Sequence, residues 1–313
     1  MSKASNRDAR AAPLREAMAA VRVSFTWLGV RKTLTPDQRA QAAESFGAQH
    51  TYLSAAKKLL DTSAPLFREV TSIKSRIVSY WKGMTLPYPE PGLRLIRQDQ
   101  LALFNEAITD LRDQLQEAVG KLDAHYDQLK EASRERLGRL YNPADYPLSL
   151  AGLFAVEWEF PTVEPPEYLR RLNPQMYQQE CRRVAARFEE AVQMAQEAFT
   201  AEFAKLVTHL TERISDEKGE HKVFRDSAVQ GLTGFFERFK SLNVSSNAQL
   251  DALVDSARQA VQGISAQDLR DSKQLRQQVA GQLSAVTATL ESLLVDQPRR
   301  KILRQQVSRL QVA

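Results

Sequence analysis

LALFNEAITDLRDQLQEAVGKLDAHYDQL, residues 101–129, carries apolar side chains at steps of three and four residues. This spacing is the heptad pattern of an amphipathic helix, with one extra four-residue step between Leu115 and Val119. A helix over residues 97–140 would be about 65 Å long at a rise of 1.5 Å per residue. The stripe consists of Leu101, Phe104, Ile108, Leu111, Leu115, Val119, Leu122, Tyr126 and Leu129.

Further stripes of the same kind lie C-terminal to this segment, over residues 173–214 and 279–293. Two shorter amphipathic segments separate them, at 235–242 and 250–261. Because the stripes of 97–140 and 173–214 are similar in length, we expect these two helices to pack antiparallel. The predicted fold is mainly all-α: an elongated antiparallel long-helix or coiled-coil bundle with a small two- or three-stranded β-sheet.

The sheet is predicted from two segments with a period of two. VRVSFTW at 21–27 and FAVEWEF at 154–160 alternate β-branched or aromatic residues with polar ones. An isolated strand leaves its backbone groups without partners, so we expect these segments to pair, with 93–96 as a third strand. Trp158 is then expected to be buried in the contact with 21–27.

Proline-containing capping sequences predict several helix starts. Thr35-Pro36, Asn142-Pro143 and Asn173-Pro174 each place an oxygen-bearing side chain before a proline, and Ser265 precedes a similar start. From these signals we predict helices over about 35–61, 65–80 and 173–214. The segment 84–92 holds three prolines and a glycine, which favours a loop or an extended strap.

The expected domain organisation follows from these elements. The predicted parts are a mobile basic tail over 1–20, a strand with helices and a proline-rich strap over 21–96, a long helical hairpin over 97–214 with a strand-containing connector at 141–172, C-terminal helices over 215–295, and a basic tail or short helix over 296–313.

Composition places the chain among ordinary globular proteins, with 43% hydrophobic and 26% charged residues. Cys181 is the single cysteine, so no internal disulfide can form, which suits a reducing compartment. The first residues contain no apolar signal-peptide core, and no stretch is apolar enough to span a bilayer. We therefore expect a cytoplasmic protein with no membrane association.

The motifs of common catalytic and cofactor sites are missing from the sequence. It contains no phosphate-binding glycine loop, no dinucleotide fingerprint, no nucleophile elbow and no zinc-protease motif. The four histidines lie in separate segments, and a site made by His125 and His209 would require the two long helices to bring them together. We expect no enzyme activity, no cofactor, no metal and no catalytic residue.

The net charge of +5 comes from the two ends of the chain. Residues 1–32 carry seven basic and two acidic side chains, and residues 296–313 carry five basic and one acidic. The C-terminal run also repeats apolar residues at helical spacing, which fits a groove on an acidic protein at least as well as DNA. The candidate partner-binding residues are Arg299, Arg300, Lys301, Leu303, Arg304 and Val307.

Two short sequences resemble a known family. Trp27-Leu28-Gly29-Val30-Arg31-Lys32, and Pro91-Gly92-Leu93-Arg94-Leu95-Ile96 before a long helix, are similar to uncharacterised helical proteins of bacteria and phages. Genes of that family lie beside those of MoxR-type AAA+ ATPases, so the resemblance implies an adaptor or assembly partner of such an ATPase.

Together these features favour a non-enzymatic scaffold or adaptor that acts through helix-mediated protein–protein contacts or self-association. The alternative is a nucleic-acid-binding protein that uses its basic N- and C-terminal segments. Under the first hypothesis, deletion of 296–313 lowers partner binding or self-association and leaves duplex DNA binding undetectable at physiological salt.

Overall fold

In the computed structural model the chain divides into two compact units, between residues 188 and 189. The structure describes residues 16–214, 226–242 and 247–295. The described part is mainly helical, with a small antiparallel β-sheet, as the sequence predicts. The division falls inside one long helix, and each unit is described below by itself.

The N-terminal unit contains both strands and helices. Its strands are β1 (Met18–Trp27), β2 (Arg31–Thr33), β3 (Ala56–Lys58), β4 (Thr85–Pro87), β5 (Leu93–Arg97) and β6 (Phe154–Glu159). Its helices are α1 (Pro36–Glu44), α2 (Pro65–Gly83), α3 (Leu101–Ala124), α4 (Tyr126–Leu137) and α5 (Tyr168–Leu172). Single 3-10 turns lie at His50–Tyr52, Gln98–Gln100, Gly138–Leu140 and Pro143–Asp145.

Helix α6 (Pro174–Ile214) continues from the N-terminal unit into the C-terminal unit. The C-terminal unit also contains α7 (Asp226–Leu242), α8 (Ala248–Val261), α9 (Ala266–Asp271) and α10 (Lys273–Val295).

The main sheet has four antiparallel strands in the order β4-β5-β1-β6. The first half of β1 pairs with β5, in the register Met18↔Arg97, and its second half pairs with β6, in the register Trp27↔Phe154. The predicted pairing of 21–27 with 154–160, and 93–96 as a further strand, is therefore confirmed. The proline-rich segment adds β4 as an edge strand, where a proline without an N–H is tolerated.

The strand β1 also begins earlier than expected. Met18 and Ala20 are buried, although both fall in the segment 1–20 for which the sequence predicts a mobile tail. Residues 1–15 lie outside the part of the chain that the structure describes.

One face of this sheet forms the core together with α2 and α3. The α3 stripe is buried against α2 and the sheet, and Phe67 of α2 meets Phe154 of β6 with ring centroids 5.9 Å apart. The predicted partner stripe of 177–214 is not part of this buried cluster, so the coiled-coil pairing of the two long helices is not confirmed.

The helix predicted over 97–140 is shorter and interrupted. Residues 93–97 form β5, α3 ends at Ala124, and α4 starts at Tyr126 after a local break at His125. Helix α4 ends at Leu137, and the next residue, Gly138, has a φ of +50°, a conformation that residues with a side chain rarely adopt.

The helix predicted over 35–61 is also wrong beyond its first half. Thr35 makes the expected capping box with Gln38, but α1 ends at Glu44. Residues 56–58 instead form β3, which pairs with β2 in a separate two-stranded ribbon. Similarly, the Asn142-Pro143 start yields only the 3-10 turn Pro143–Asp145.

Trp158 is paired in the sheet as predicted, opposite Val23, but it is half-buried and not buried. Its indole Nε1 donates a hydrogen bond to Asn105 Oδ1 at 2.9 Å. The guanidinium of Arg112 lies 5.5 Å from the centroid of its ring. A polar indole edge and a flanking cation suit the boundary of the core better than its centre.

The C-terminal unit is built on phenylalanines. Phe203 of α6 stacks on Phe235 of α7 with ring centroids 5.1 Å apart, and Phe199 meets Phe239 edge-on at the same distance. The structure thus confirms the prediction that this aromatic turn of α7 is a packed core element. Ser265 begins α9 with a capping box to Asp268, again as its sequence predicts.

Candidate functional site

The C-terminal residues predicted to bind a partner lie outside the described residues. The structure describes the chain only to residue 295, so their proposed role stays a prediction. These residues are Arg299, Arg300, Lys301, Leu303, Arg304 and Val307.

Within the described part of the chain, exposed apolar side chains concentrate around α5 and the first turn of α6. Leu172 has 77% of its surface exposed, and Tyr168 and Met176 are also exposed. Tyr168 and Leu172 lie one helical turn apart on α5, and Met176 follows four residues later. Apolar groups that recur at this spacing normally face a core, so their exposure marks a surface that other molecules can cover.

Prolines explain why these side chains do not reach a core. Pro165 and Pro166 precede α5 and Pro174 follows it, so the segment can form little more than one helical turn. Asn173 between the two helices is extended, and its Oδ1 accepts a hydrogen bond from the Met176 amide at 3.1 Å. A helix this short has too small an apolar face to be buried by folding alone.

Arginines surround this apolar area. Arg171 and Arg182 are exposed, whereas Arg170 and Arg183 pair with Glu167 and Glu180 on their own helices. We define the α5–α6 surface as Tyr168, Leu172 and Met176 with the flanking Arg171 and Arg182.

The first residues of the α6 stripe continue this surface inward. Tyr177 and Cys181 are half-buried, and the stripe becomes buried only at Val184. The Tyr177 hydroxyl donates to Glu167 Oε2 at 3.2 Å, which fixes the start of α6 beside α5. Cys181 therefore occupies the half-covered margin of the stripe and not the core position that its spacing predicts.

The strongest electrostatic cluster of the N-terminal unit joins three segments. Asp145 lies 2.6 Å from both Lys32 and Lys57, and Lys57 also donates to the Leu140 carbonyl at 2.6 Å. The Asp145 side chain is 3% exposed and that of Lys57 is 5% exposed. The hydrogen bonds from the two ammonium groups lower the pKa of Asp145 below its ordinary value. No local pattern predicts this cluster, because the three residues are far apart along the chain.

The C-terminal unit has an open cleft of about 790 Å³ between α7, α8 and the turn before α9. Phe236, Val261 and Ile264 supply its apolar lining, and Lys240 and Arg258 supply positive charge. Arg258 is already paired with Asp255 at 3.0 Å. Thr233, Glu237, Gln262 and Ser265 add polar groups to this lining.

Neither a metal centre nor a membrane span is found in the described ranges. These ranges contain no group of three or more histidine, cysteine or carboxylate side chains that could hold a metal ion. They also contain no helix that is long and apolar enough to cross a membrane. His125 caps the end of α3 and its Nδ1 lies 2.9 Å from the Lys121 carbonyl oxygen.

Comparison with known proteins leaves the geometry as the only guide to function. No protein family, no curated protein and no solved structure matches this chain.

Proposed function

We propose that this chain is a non-enzymatic, cytoplasmic scaffold or adaptor that acts through helix-mediated protein contacts, with the α5–α6 surface as a contact site. The observation that carries the proposal is the exposure of Tyr168 and Leu172, one helical turn apart on α5, with Met176 exposed in the first turn of α6. Covering one such side chain with a partner removes its apolar area from water, which is worth about 1.5–3 kcal/mol for a fully buried Leu or Met.

The chemistry of the surface indicates the kind of partner. Arg171 and Arg182 flank the apolar side chains without an ion pair in the described part of the chain. A complementary partner segment therefore presents apolar anchors with acidic neighbours, as an amphipathic helix in a groove does. Charged groups at such a rim favour the correct partner and speed its association.

The resemblance to proteins encoded beside MoxR-type AAA+ ATPases identifies the first partner to test. The purified full-length chain is mixed with the MoxR-type ATPase encoded nearest to its gene, and the dissociation constant is measured by isothermal titration calorimetry. We expect Leu172→Glu to weaken binding by about tenfold or more, as the loss of a central apolar contact does.

Leu148→Glu is the matched control, because Leu148 is a fully exposed leucine outside the α5–α6 surface. It is expected to leave binding unchanged. Equal effects of Leu172→Glu and Leu148→Glu, or no measurable binding by the wild type, would contradict the proposal. Light scattering on the same variants tests self-association, which Leu172→Glu would weaken if a second copy of the chain is the occupant.

A further inference from the structure

We propose that the N-terminal unit binds single-stranded nucleic acid on a surface made by the β2–β3 ribbon and the loop that precedes β3. We call it the ribbon surface and define it as Arg31, Lys58, Phe46 and Tyr52. It differs from the α5–α6 surface and from the basic run 296–313, and it shares only Arg31 with the basic N-terminal segment 1–32.

The ribbon brings like charges together. Arg31 lies directly opposite Lys58, and Lys32 lies opposite Lys57. Residues directly opposite each other in an antiparallel pair share a face, and like charges at such positions destabilise the pairing. A short ribbon that contains two such pairs therefore gains stability from anions at both faces.

The protein supplies an anion to only one of these faces. Asp145 neutralises the face of Lys32 and Lys57, at 2.6 Å from each. Arg31 and Lys58 project from the other face, are exposed, and make no ion pair within the described residues. That face is therefore a site of positive charge that an external anion can neutralise.

Two exposed aromatic rings lie between α1 and β3, in the connection that joins the two strands of the ribbon. Phe46 is 80% exposed and Tyr52 is 88% exposed. Tyr52 lies four residues before Ala56, so its Cα is within about 14 Å of the start of β3. The 3-10 turn that contains Tyr52 packs on α1, the helix after which Phe46 follows.

Backbone hydrogen bonds fix the segment of chain that carries both rings. The amides of Gly47 and Ala48 donate to the carbonyls of Glu44 and Ala43, which closes α1 with a Schellman turn at a φ of +61° for Gly47. The Tyr52 amide donates to the Gln49 carbonyl at 3.0 Å. Neither ring contributes to the core, so the ordered loop presents both to solvent before any ligand binds.

Exposed aromatic rings and exposed cations within one short segment are the elements of a surface for unpaired bases. Successive bases stack on aromatic faces while basic side chains follow the phosphates, and neither element requires a particular base sequence. A duplex buries the faces of its bases, and an acidic peptide has few groups that stack on a ring. The combination therefore favours a single strand over both.

The local charge balance agrees with an anionic ligand. Residues 31–58 carry the acidic side chains Asp37 and Glu44, both on α1. The basic side chains of the same segment are Arg31, Lys32, Arg39, Lys57 and Lys58.

The test uses the full-length chain and a fluorescein-labelled oligonucleotide of mixed sequence, prepared once as DNA and once as RNA. Its length of about 20 nucleotides exceeds the roughly 4–16 nucleotides that one such site covers. Fluorescence anisotropy gives the affinity. Replacing Tyr52 or Phe46 by Ala is expected to weaken binding by about 5- to 100-fold for each ring that stacks a base. Leu148→Ala is the control for loss of an exposed apolar side chain.

The charge half of the proposal has its own readout. The double change Arg31→Gln, Lys58→Gln is expected to lower the slope of log affinity against log salt by about 1.4, because each phosphate of a single strand that the protein neutralises adds about 0.7 to this slope. Arg68→Gln is the matched control, because Arg68 is exposed on α2 outside both proposed surfaces, and it is expected to leave the slope unchanged. Tryptophan fluorescence of each variant verifies that the N-terminal unit is folded.

Three results would overturn the proposal. The first is no binding of either oligonucleotide by the wild type at about 50 mM salt, where phosphate contacts are strong. The second is wild-type affinity in both the aromatic and the charge variants, which would place the binding elsewhere, as at the basic ends. The third is that the Tyr52 and Phe46 variants bind the oligonucleotide with unchanged affinity and that poly-glutamate displaces it. These two observations together would indicate an acidic protein as the partner.

Discussion

Replacing Asp145 by Asn is expected to destabilise the N-terminal unit by about 3 kcal/mol, at the lower end of the effect of breaking a buried ion pair. The carboxylate lies 2.6 Å from Lys32 of β2 and from Lys57 of β3, and Lys57 also donates to the Leu140 carbonyl after α4 at 2.6 Å. Asparagine keeps the size of the side chain and removes its charge, so the change tests the electrostatic contribution alone.

The loss of unfolding free energy in Asp145→Asn depends on which of the two lysines stays buried without a counter-charge. The Lys57 side chain is 5% exposed and keeps only its bond to the Leu140 carbonyl once the carboxylate is gone. Lys32 is 55% exposed and returns to water at little cost. One buried ammonium group without a counter-charge, and not two, therefore sets the expected loss.

The position of the tryptophans makes the measurement specific. All three tryptophans of the chain, Trp27, Trp81 and Trp158, belong to the N-terminal unit. Urea unfolding followed by tryptophan fluorescence therefore reports this unit even if the C-terminal unit unfolds separately. Asp127→Asn is the control, because Asp127 pairs with Lys130 while its side chain is 94% exposed, and it is expected to cost less than about 1 kcal/mol.

A second variant separates charge from packing. Adding Lys57→Met to Asp145→Asn removes the buried cation as well, so most of the lost stability is expected to return. Because the two lysines lower the pKa of Asp145, its contribution is complete above the ordinary carboxyl pKa and disappears as pH falls through the lowered one. Equal unfolding free energies for Asp145→Asn and Asp127→Asn, or a double variant less stable than Asp145→Asn alone, would refute this account.

Three further outcomes are expected. In urea unfolding, Tyr126→Phe is expected to be neutral or to stabilise the protein by up to about 1 kcal/mol, because it removes a buried hydroxyl that has no hydrogen-bond partner in the described residues. Tyr146→Phe is expected to cost about 1 kcal/mol, because it removes a hydrogen bond to a backbone carbonyl. Burial also raises the pKa of Tyr126 to about 12, so a tyrosinate step near that pH in the ultraviolet absorbance of the wild type is missing from Tyr126→Phe. Phe235→Ala destabilises the C-terminal unit by about 3–5 kcal/mol in unfolding followed by circular dichroism, and a loss no larger than that of a surface residue would contradict its core position. Hydrogen bonds from Ser63 lower the pKa of Asp61 to about 2, so the stabilising contribution of Asp61 is lost only as pH falls from the ordinary carboxyl pKa towards 2. An NMR pH series that shows the Asp61 carboxyl resonance titrating near 4 would refute this lowered pKa.

Short-range periodicity predicts the main sheet and the α3 helix correctly. A strand with one face on the core alternates apolar and polar residues, and both 21–27 and 154–160 show this pattern. The stripe of α3 likewise identifies a helix and its buried face. Periodicity does not identify which elements cover that face, and in the structure α2 and the sheet pack against it.

The error at 35–61 has a long-range cause. Local propensity extends α1 too far because the residues of the next strand are good helix formers. These residues are Ala56, Lys57 and Lys58. Their observed strand is stabilised by pairing with β2 and by Asp145, neither of which lies within the same stretch of sequence. A prediction from neighbouring residues alone cannot detect the pairing with β2 or the ion pair with Asp145.

The α5–α6 surface has a sequence signal that lies in its prolines and not in its composition or in any catalytic motif. Prolines on both sides of 167–173 limit α5 to a single turn, which cannot bury an apolar face by itself. Tyr168, Leu172 and Met176 at four-residue steps within such a segment therefore indicate exposed anchors. The ribbon surface has no comparable signal, because Arg31 and Lys58 become neighbours only through the register of β2 and β3.

The central position of β1 also affects how the protein is made. The ribosome synthesises β1 first, yet the pair Arg22↔Glu159 joins it to a strand that is translated much later. At about 5–20 residues per second, β1 waits roughly 7–27 s for β6 after its own synthesis. During that interval the backbone groups of 22–27 that pair with β6 have no partner strand and are open to the nascent-chain chaperones of the cell. Synonymous codons that slow translation between β5 and β6 would lengthen this exposure and lower the yield of folded protein without changing one amino acid.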